Sequence, residues 1–366
     1  MKEYFVSIFL TEMAVLLMFV NIRSNLNINQ KHRRYFRLTY GLIAVTAMCE
    51  CIGRFISNSA IIELKPILII VKFIEFSITP CIPVIYASIF KVGNQNENFA
   101  HKVMLALLLI HILTEVLSLY SGTIFLVNNS GVYERGTYYA VYVISFVFAG
   151  MYLFWMVISF SSFYQNKDLK LLVSIVVFIT SGVMIQFILS EVNITWLTIS
   201  ISSIFMFVYY ENITLYTDAL TVLLNQRSYK AQLERGFEEE TIVLLMDVND
   251  FKNVNDRYGH NYGDLALKAI GNAIKEVYAS YGYCYRIGGD EFCVFMKPKV
   301  DVRKLNKQFI AKLIELQTKD IKFPLVSIGS ALYRPQNGLS ILDTVEEADK
   351  NMYEEKRRLK AKDETR

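Results

Sequence analysis

The first 210 residues form long apolar runs broken by short polar stretches, whereas apolar positions in the remainder recur at the spacing of amphipathic helices and buried strands. A helix needs roughly 20 mostly apolar residues to cross the hydrocarbon of a bilayer. Seven runs meet that need: Tyr4 to Ile22, Leu38 to Ile56, Pro66 to Phe90, Val103 to Val127, Tyr138 to Tyr164, Leu171 to Ser190 and Ile194 to Tyr210. The last is short and rich in Ser and Thr. The first has Lys2 as its only preceding basic residue and lacks a small-residue cleavage pattern, so it reads as a retained span rather than a signal peptide.

Beyond Tyr210 the pattern changes. The polar stretch from Glu211 to Asp218 contains neither Pro nor Gly, so it continues the last span as a stiff helical linker over residues 211–219. Thr241 to Met246 is a buried-strand run, Phe251 to Arg257 a short amphipathic helix, and Gly263 to Tyr281 a longer one with Leu267, Ile270, Ile274 and Val277 at helical spacing. Two short strands, Cys284 to Ile287 and Phe292 to Phe295, flank a hairpin turn at Gly288-Gly289-Asp290-Glu291. A helix (Val302 to Gln317), a strand (Pro324 to Leu332) and a last helix (Ser340 to Lys360) follow. This order predicts a ferredoxin-like βαββαβ core with helices on one face of the sheet.

Charge divides the chain at the same place. Residues 1–210 hold 14 Lys+Arg and 10 Asp+Glu, and residues 211–366 hold 24 of each. An all-α polytopic membrane domain of about seven helices, followed by an α/β (α+β) domain in water, fits both signals. Beside the spans, nine basic residues fall on one side, including Arg23, Lys31, Arg33, Arg34 and Arg37, against four on the other. The positive-inside rule then puts the N-terminus outside and residues 220–366 in the cytoplasm. The balanced second half shows no basic footprint for nucleic acid, and neither a P-loop nor a dinucleotide glycine motif occurs. The five cysteines read as small buried hydrophobes, because Cys49-x-Cys51 lacks the second ligand pair of a closed zinc site.

Two sets of residues carry chemistry. Glu12, Glu50, Lys72, Glu75, His111 and Glu115 fall inside predicted spans, where ionisable groups are costly unless paired or wet. Lys72 with Glu75, and His111 with Glu115, stand one helical turn apart, so they either pair locally or line a polar pocket for a sensory ligand or a proton. In the second half, Asp247 ends the first strand while Asp290 and Glu291 sit at the hairpin tip. If those strands are neighbours, their carboxylates meet at one end of the sheet, where a hard divalent cation can sit on nucleotide phosphates. Gly288 and Gly289 leave room there for a bulky ligand or a second subunit.

The run Arg286-Ile287-Gly288-Gly289-Asp290-Glu291-Phe292 resembles the RxGGDEF motif of diguanylate cyclases. The segment from Asp247 to Asp264 is similar to the DxDxFKxxND-x-x-GH-x-x-GD pattern that accompanies it. Asp218 to Arg227 is similar to the lead-in DxLTGLxNRR, and Ser327-Ile328-Gly329 to the later SIG strand. The resemblance covers Asp218 to about Lys360. It implies a nucleotidyl-cyclase-like GGDEF domain that condenses two GTP into cyclic di-GMP and two pyrophosphates across a homodimer in a bacterial cytoplasmic membrane. The seven-span part would then sense and dimerise. Carried over residue by residue, Asp247, the Val248 carbonyl, Asp290 and Glu291 would hold Mg²⁺ or Mn²⁺, with Asp290, Glu291 and Asp247 as the catalytic set. Phe251 lines the substrate site, Asn255 and Asp264 read guanine, and Lys252, Lys356 and Lys360 hold phosphates. Other readings are a catalytically inactive GGDEF domain that binds GTP or cyclic di-GMP as a receptor, and a transporter with a regulatory domain.

Three departures from the family pattern stand out. Asn249 replaces the second Asp of DxD, keeping an oxygen but losing a charge. At the phosphate clamp, Lys356-Arg357-Arg358-Leu359-Lys360 replaces KxxGR, so a bidentate Arg becomes a point charge at Lys360. Where product-inhibited members carry RxxD, this chain has Ala279-Ser280-Tyr281-Gly282, which predicts that the inhibitory site is missing.

Overall fold

A computed structural model describes residues 2–25, 28–92, 95–164, 170–188, 194–320, 323–338 and 340–363. The chain divides into two units, Met1–Tyr210 and Glu211–Arg366. In the first, α1 (Lys2–Ser24), α2 (Gln30–Ser59), α3 (Lys65–Ile78), α4 (Cys81–Ala87) and α5 (Gln95–Ser121) precede a small hairpin, β1 (Phe125–Val127) and β2 (Tyr133–Arg135). Helices α6 (Tyr139–Phe163), α7 (Lys170–Ile188) and α8 (Thr195–Leu215) follow.

Among the described residues, five helical segments are long and apolar enough to cross a membrane: Tyr4–Ser24, Gln30–Ser59, Ile62–Phe90, Asn96–Ser121 and Tyr139–Phe163. Lys170–Gly182 is a shorter apolar helix. The sixth expected run is therefore helical, although its end at Ser190 lies outside the described residues. The third run is not one helix. Pro80 has no amide hydrogen to donate, and the helix breaks there into α3 and α4. At one end of the bundle the hairpin closes on the α2–α3 turn, where the Tyr133 amide donates to Ser57 Oγ (3.0 Å). Elsewhere in the unit, the hydroxyls of Tyr40 and Tyr86 both donate to the Ser203 carbonyl of α8 (2.9 and 2.7 Å), and Phe36, Phe90, Phe160, Phe207 and Tyr210 pack ring against ring.

The second unit comprises α9 (Gln226–Arg235), β3 (Thr241–Val248), α10 (Phe251–Tyr258), α11 (His260–Tyr278), β4 (Gly282–Arg286), β5 (Glu291–Met296), α12 (Val302–Lys319), β6 (Val326–Tyr333) and α13 (Ile341–Asp363). The sheet order is β4-β5-β3-β6, and every neighbouring pair is antiparallel. This is the expected βαββαβ core. One expectation is corrected: the helices do not share one face. Leu244, Met246, Phe292 and Val294 pack with Leu267, Ile270, Ile274 of α11 and Phe309 of α12. Val243, Leu245, Cys293 and Phe295 face the opposite way, onto Ala348 and Met352 of α13 and Tyr229 and Leu233 of α9. The unbroken apolar run of β3 is the cause, because a strand whose alternate residues are all buried needs cover on both sides. Helix α9 was not expected. Asn225 caps it by accepting from the Ser228 amide (3.0 Å).

Candidate active site

The strand register gathers the acidic residues. Asp247 at the end of β3 is paired with Glu291 of β5 on one side and with Ser327 of β6 on the other. Because side chains alternate along a strand, Asp247 follows Val243 and Leu245 onto the α13 face, and Glu291 precedes Cys293 and Phe295 onto the same face. The Val248 amide donates to the Asp290 carbonyl (3.1 Å), which ties the hairpin tip to the strand end. From α13, Lys356 forms an ion pair with Asp247. Sheet and helix thus bring Asp247, Asp290, Glu291 and Lys356 to one end; the sequence led to the expectation that the carboxylates meet, and Lys356 joins them.

The electrostatics follow from that crowding. Burial and then the Asp247 charge push the Asp290 carboxyl above the ordinary aspartate range. Burial, Asp247 and Asp290 do the same to Glu291. Lys356 works against both shifts. Among the described residues, no three His, Cys, Asp or Glu side chains are gathered closely enough to hold a metal unaided. The donor set nevertheless suits a hard cation of the Mg²⁺ type, which takes one or two carboxylates and completes its shell with phosphate oxygens and water. Repulsion among the three carboxylates is the property such a cation would relieve.

The hairpin has a support that the sequence alone does not disclose. Arg286 Nη2 and Nε donate to the Gly289 carbonyl (2.7 and 3.3 Å), and Nη1 donates to Asp218 Oδ1 (3.0 Å). Asp218 also accepts from the Thr221 amide and hydroxyl (2.8 and 2.7 Å). Burial opposes its charge, but these bonds and Arg286 hold its carboxyl below the usual range. The residue just past α8 is thereby fastened to the loop that carries Asp290. Val222, which stands where the lead-in pattern has Gly, adopts φ +56°, a conformation costly for a β-branched side chain.

The remaining candidates lie toward the other face. Phe251, Lys252 and Asn255 are on α10, with Phe251 packed on the core and Lys252 exposed. Asp264 is exposed in the first turns of α11. Gly263 sets their spacing, since a Cβ there would meet Asn255 Oδ1 at 2.0 Å and the Phe251 ring at 3.1 Å. Asn249 is buried and accepts from the Ser327 hydroxyl (2.8 Å). One lone pair of its oxygen is thus used for holding β6. Gly289 has open space where a Cβ would be, whereas a Cβ at Gly288 would meet Glu291 Oε2 at 2.5 Å. Lys360 is on α13, but its side chain lies outside the described residues.

Residues 215–362 match the family described as diguanylate cyclase, GGDEF domain. The signaling protein YkoW of Bacillus subtilis is 33% identical over 159 residues, which are 40% of this chain and 20% of that protein. Diguanylate cyclase DgcS of Shewanella oneidensis is 30% identical over 146 residues, 38% of this chain and 49% of the relative. Diguanylate cyclase DosC of Escherichia coli is 32% identical over 154 residues, 38% and 33%. The GGDEF domain of DgcB from Caulobacter crescentus, crystallised with c-di-GMP, is 25% identical over 39% of this chain and 90% of that one, with a TM-score of 0.34. The chain spans less than half the length of these three curated relatives. The family match lies within the second unit, and residues 215–362 form a GGDEF domain with diguanylate cyclases among its relatives.

Proposed function

We propose that the chain is a membrane-bound diguanylate cyclase, with the first unit embedded, its N-terminus outside and the GGDEF domain in the cytoplasm. The observation that carries this reading is the meeting of Asp247, Asp290, Glu291 and Lys356 at one end of the sheet. In the reaction, the 3′-oxygen of one GTP bonds to the α-phosphorus of the other and the α–β phosphoanhydride breaks, releasing pyrophosphate. The hydroxyl proton passes to a carboxylate, a role we assign to Glu291. Two such steps across a domain dimer close the cyclic product. A bound Mg²⁺ or Mn²⁺ would offset charge on the phosphates. Lys252 and Lys356 neutralise the departing pyrophosphate, beside the start of α10, where no side chain caps the amides. Asn255 and Asp264 accept from guanine N1–H and the 2-amino group, donors that adenine lacks in that pattern.

We also propose that the domain lacks the RxxD inhibitory site. Supporting this, Gly282 is so close to β5 that a Cβ would meet the Phe295 carbonyl oxygen at 2.0 Å, so an Asp there would not fit without a backbone shift. The test is incubation of the full-length protein in nanodiscs with GTP and Mg²⁺ beside Asp290→Ala, with products identified by mass spectrometry. Cyclic di-GMP from the wild type alone is expected. Bound GTP without product would move the assignment to a receptor.

A further inference from the structure

Among the described residues of the first unit, Glu115 and His111 on α5 are the most deeply buried ionisable pair, with side chains 0% and 1% exposed. His111 Nε2 lies 3.0 Å from the Phe76 carbonyl of α3, so it carries the ring proton and donates there, leaving Nδ1 as a bare lone pair without a donor. Glu115 Oε1 stands 3.7 Å from the same Nε2, beyond hydrogen-bond reach, and neither carboxylate oxygen has a partner among the described residues. An ionised carboxylate in that setting would be a buried charge without a single donor, a far greater cost than one missing hydrogen bond.

Among the described residues packed around the pair, none supplies a compensating cation. Helix α5 packs against α3, α6 and β1. On α3, Lys72 is committed to Glu75 (2.8 Å) and stacks over the Tyr133 ring (4.8 Å); Lys65 sits at the helix start. On α6, Tyr139 and Tyr142 are the ionisable groups at this end, the Tyr142 ring lying 6.3 Å from that of His111; Tyr152 pairs instead with His101. Strand β1, Phe125-Leu126-Val127, contributes none. The α5 groups Glu97, His101 and Lys102 are more than two turns away along the helix, and Tyr120 is exposed.

We propose that Glu115, with His111 beside it, is a proton-binding site of the membrane unit. In this form of the bundle Glu115 is a neutral carboxylic acid. At higher pH its O–H bond breaks, the proton leaves to the water at the hairpin end, and an uncompensated charge appears at the α3–α5 contact. That contact is held by the His111–Phe76 bond, and close by on α5 the Ser118 hydroxyl accepts from the Ile124 and Phe125 amides (2.9 and 3.2 Å), so the charge bears on both α3 and the hairpin. The proposal concerns the first unit alone and stands whether or not the second makes cyclic di-GMP.

The test is infrared difference spectroscopy of the full-length protein in nanodiscs, following the C=O stretch of protonated carboxyl groups through a pH titration. Wild type minus Glu115→Gln should show one protonated carboxyl at neutral pH that disappears on alkaline titration. Identical spectra for wild type and Glu115→Gln would overturn the proposal. So would a band that never titrates while circular dichroism shows the protein folded. Failure of Glu115→Gln to fold would overturn it too, since glutamine is a neutral isostere of the protonated acid.

Discussion

In the GGDEF unit Arg286 spends its donors on Asp218 and the Gly289 carbonyl, Lys356 meets Asp247, and Asn249 meets Ser327. In the membrane unit Glu115 keeps both oxygens unbonded, as do His111 Nδ1, Ser77 Oγ and Thr39 Oγ1. On the proposed membrane placement, the difference reflects two solvents. A domain in water loses hydration for each polar group it buries, so those retained near its site are tied into networks that fix geometry. A bundle in lipid hides its polar groups inward regardless, and those left unsatisfied must be neutral or must move. Bonded carboxylates hold a site in place, while unbonded ones can respond to a signal.

The largest expected effect tests the membrane side of that contrast. Lys72→Met leaves Glu75 buried without its cation and should cost about 3–5 kcal/mol of bundle stability, read from thermal melts in nanodiscs. Adding Glu75→Leu should recover most of the loss. Replacing Arg334, which pairs with Glu240 at 3.4 Å on the exposed rim of the second unit, should cost under about 1 kcal/mol. Equal costs for the two pairs would break the comparison.

Next comes the site itself. Glu291→Gln should reduce cyclic di-GMP formation by about 10²–10³-fold with the fold intact, the scale seen when one preorganised charge-stabilising group is lost. Gly263→Ala drives a methyl into Asn255 Oδ1 and should cost about 1–3 kcal/mol through strain, appearing as a raised KM for GTP with a smaller change in kcat. A KM unaffected by this change would separate α10–α11 spacing from nucleotide binding.

Much of the GGDEF unit was legible because its elements obey period 2 or 3.6, and the hairpin strands, Asp247 and the tip carboxylates fell where the pattern put them. The two-faced sheet was missed although its signal is present: Ile242-Val243-Leu244-Leu245-Met246 has no polar alternation, so both faces of β3 had to be covered. Helix α9 was signalled by Asn225 followed by Tyr229 and Leu233 one turn apart. The Arg286–Asp218 bond was not legible, since nothing local links residues 68 positions apart. In the first unit, five of the seven expected spans correspond, among the described residues, to helices long and apolar enough to cross a membrane, the fourth ending at Ser121 and not Val127, but helix rotation could not be read, because apolar residues surround each helix. Which of Glu12, Glu50, Glu75 and Glu115 would be paired was therefore a question of packing.

Val222→Gly sharpens the contrast at the start of the GGDEF unit. A β-branched residue at φ +56° carries about 1–2 kcal/mol of backbone strain, part of which glycine gives back through its freer unfolded chain. A net gain of about 1 kcal/mol is expected, measured by denaturant unfolding, with no change in the membrane unit's melt.

The smallest effect is a pH dependence of the GGDEF unit without metal. Asp290 and Glu291 are raised above their ordinary ranges by burial and by Asp247, so between the unfolded and folded pKa the native state binds more protons than the unfolded one. Stability contributed by these groups is then greatest at acidic pH and falls as pH rises through that window, the opposite of a salt-bridged carboxylate such as Asp218. Partial exposure and salt screening keep the slope shallow. Asp290→Asn should flatten it, and Mg²⁺ should raise the melting temperature of the wild type more at neutral than at acidic pH. A magnesium effect equally large in Asp290→Asn would place the cation elsewhere than among these carboxylates.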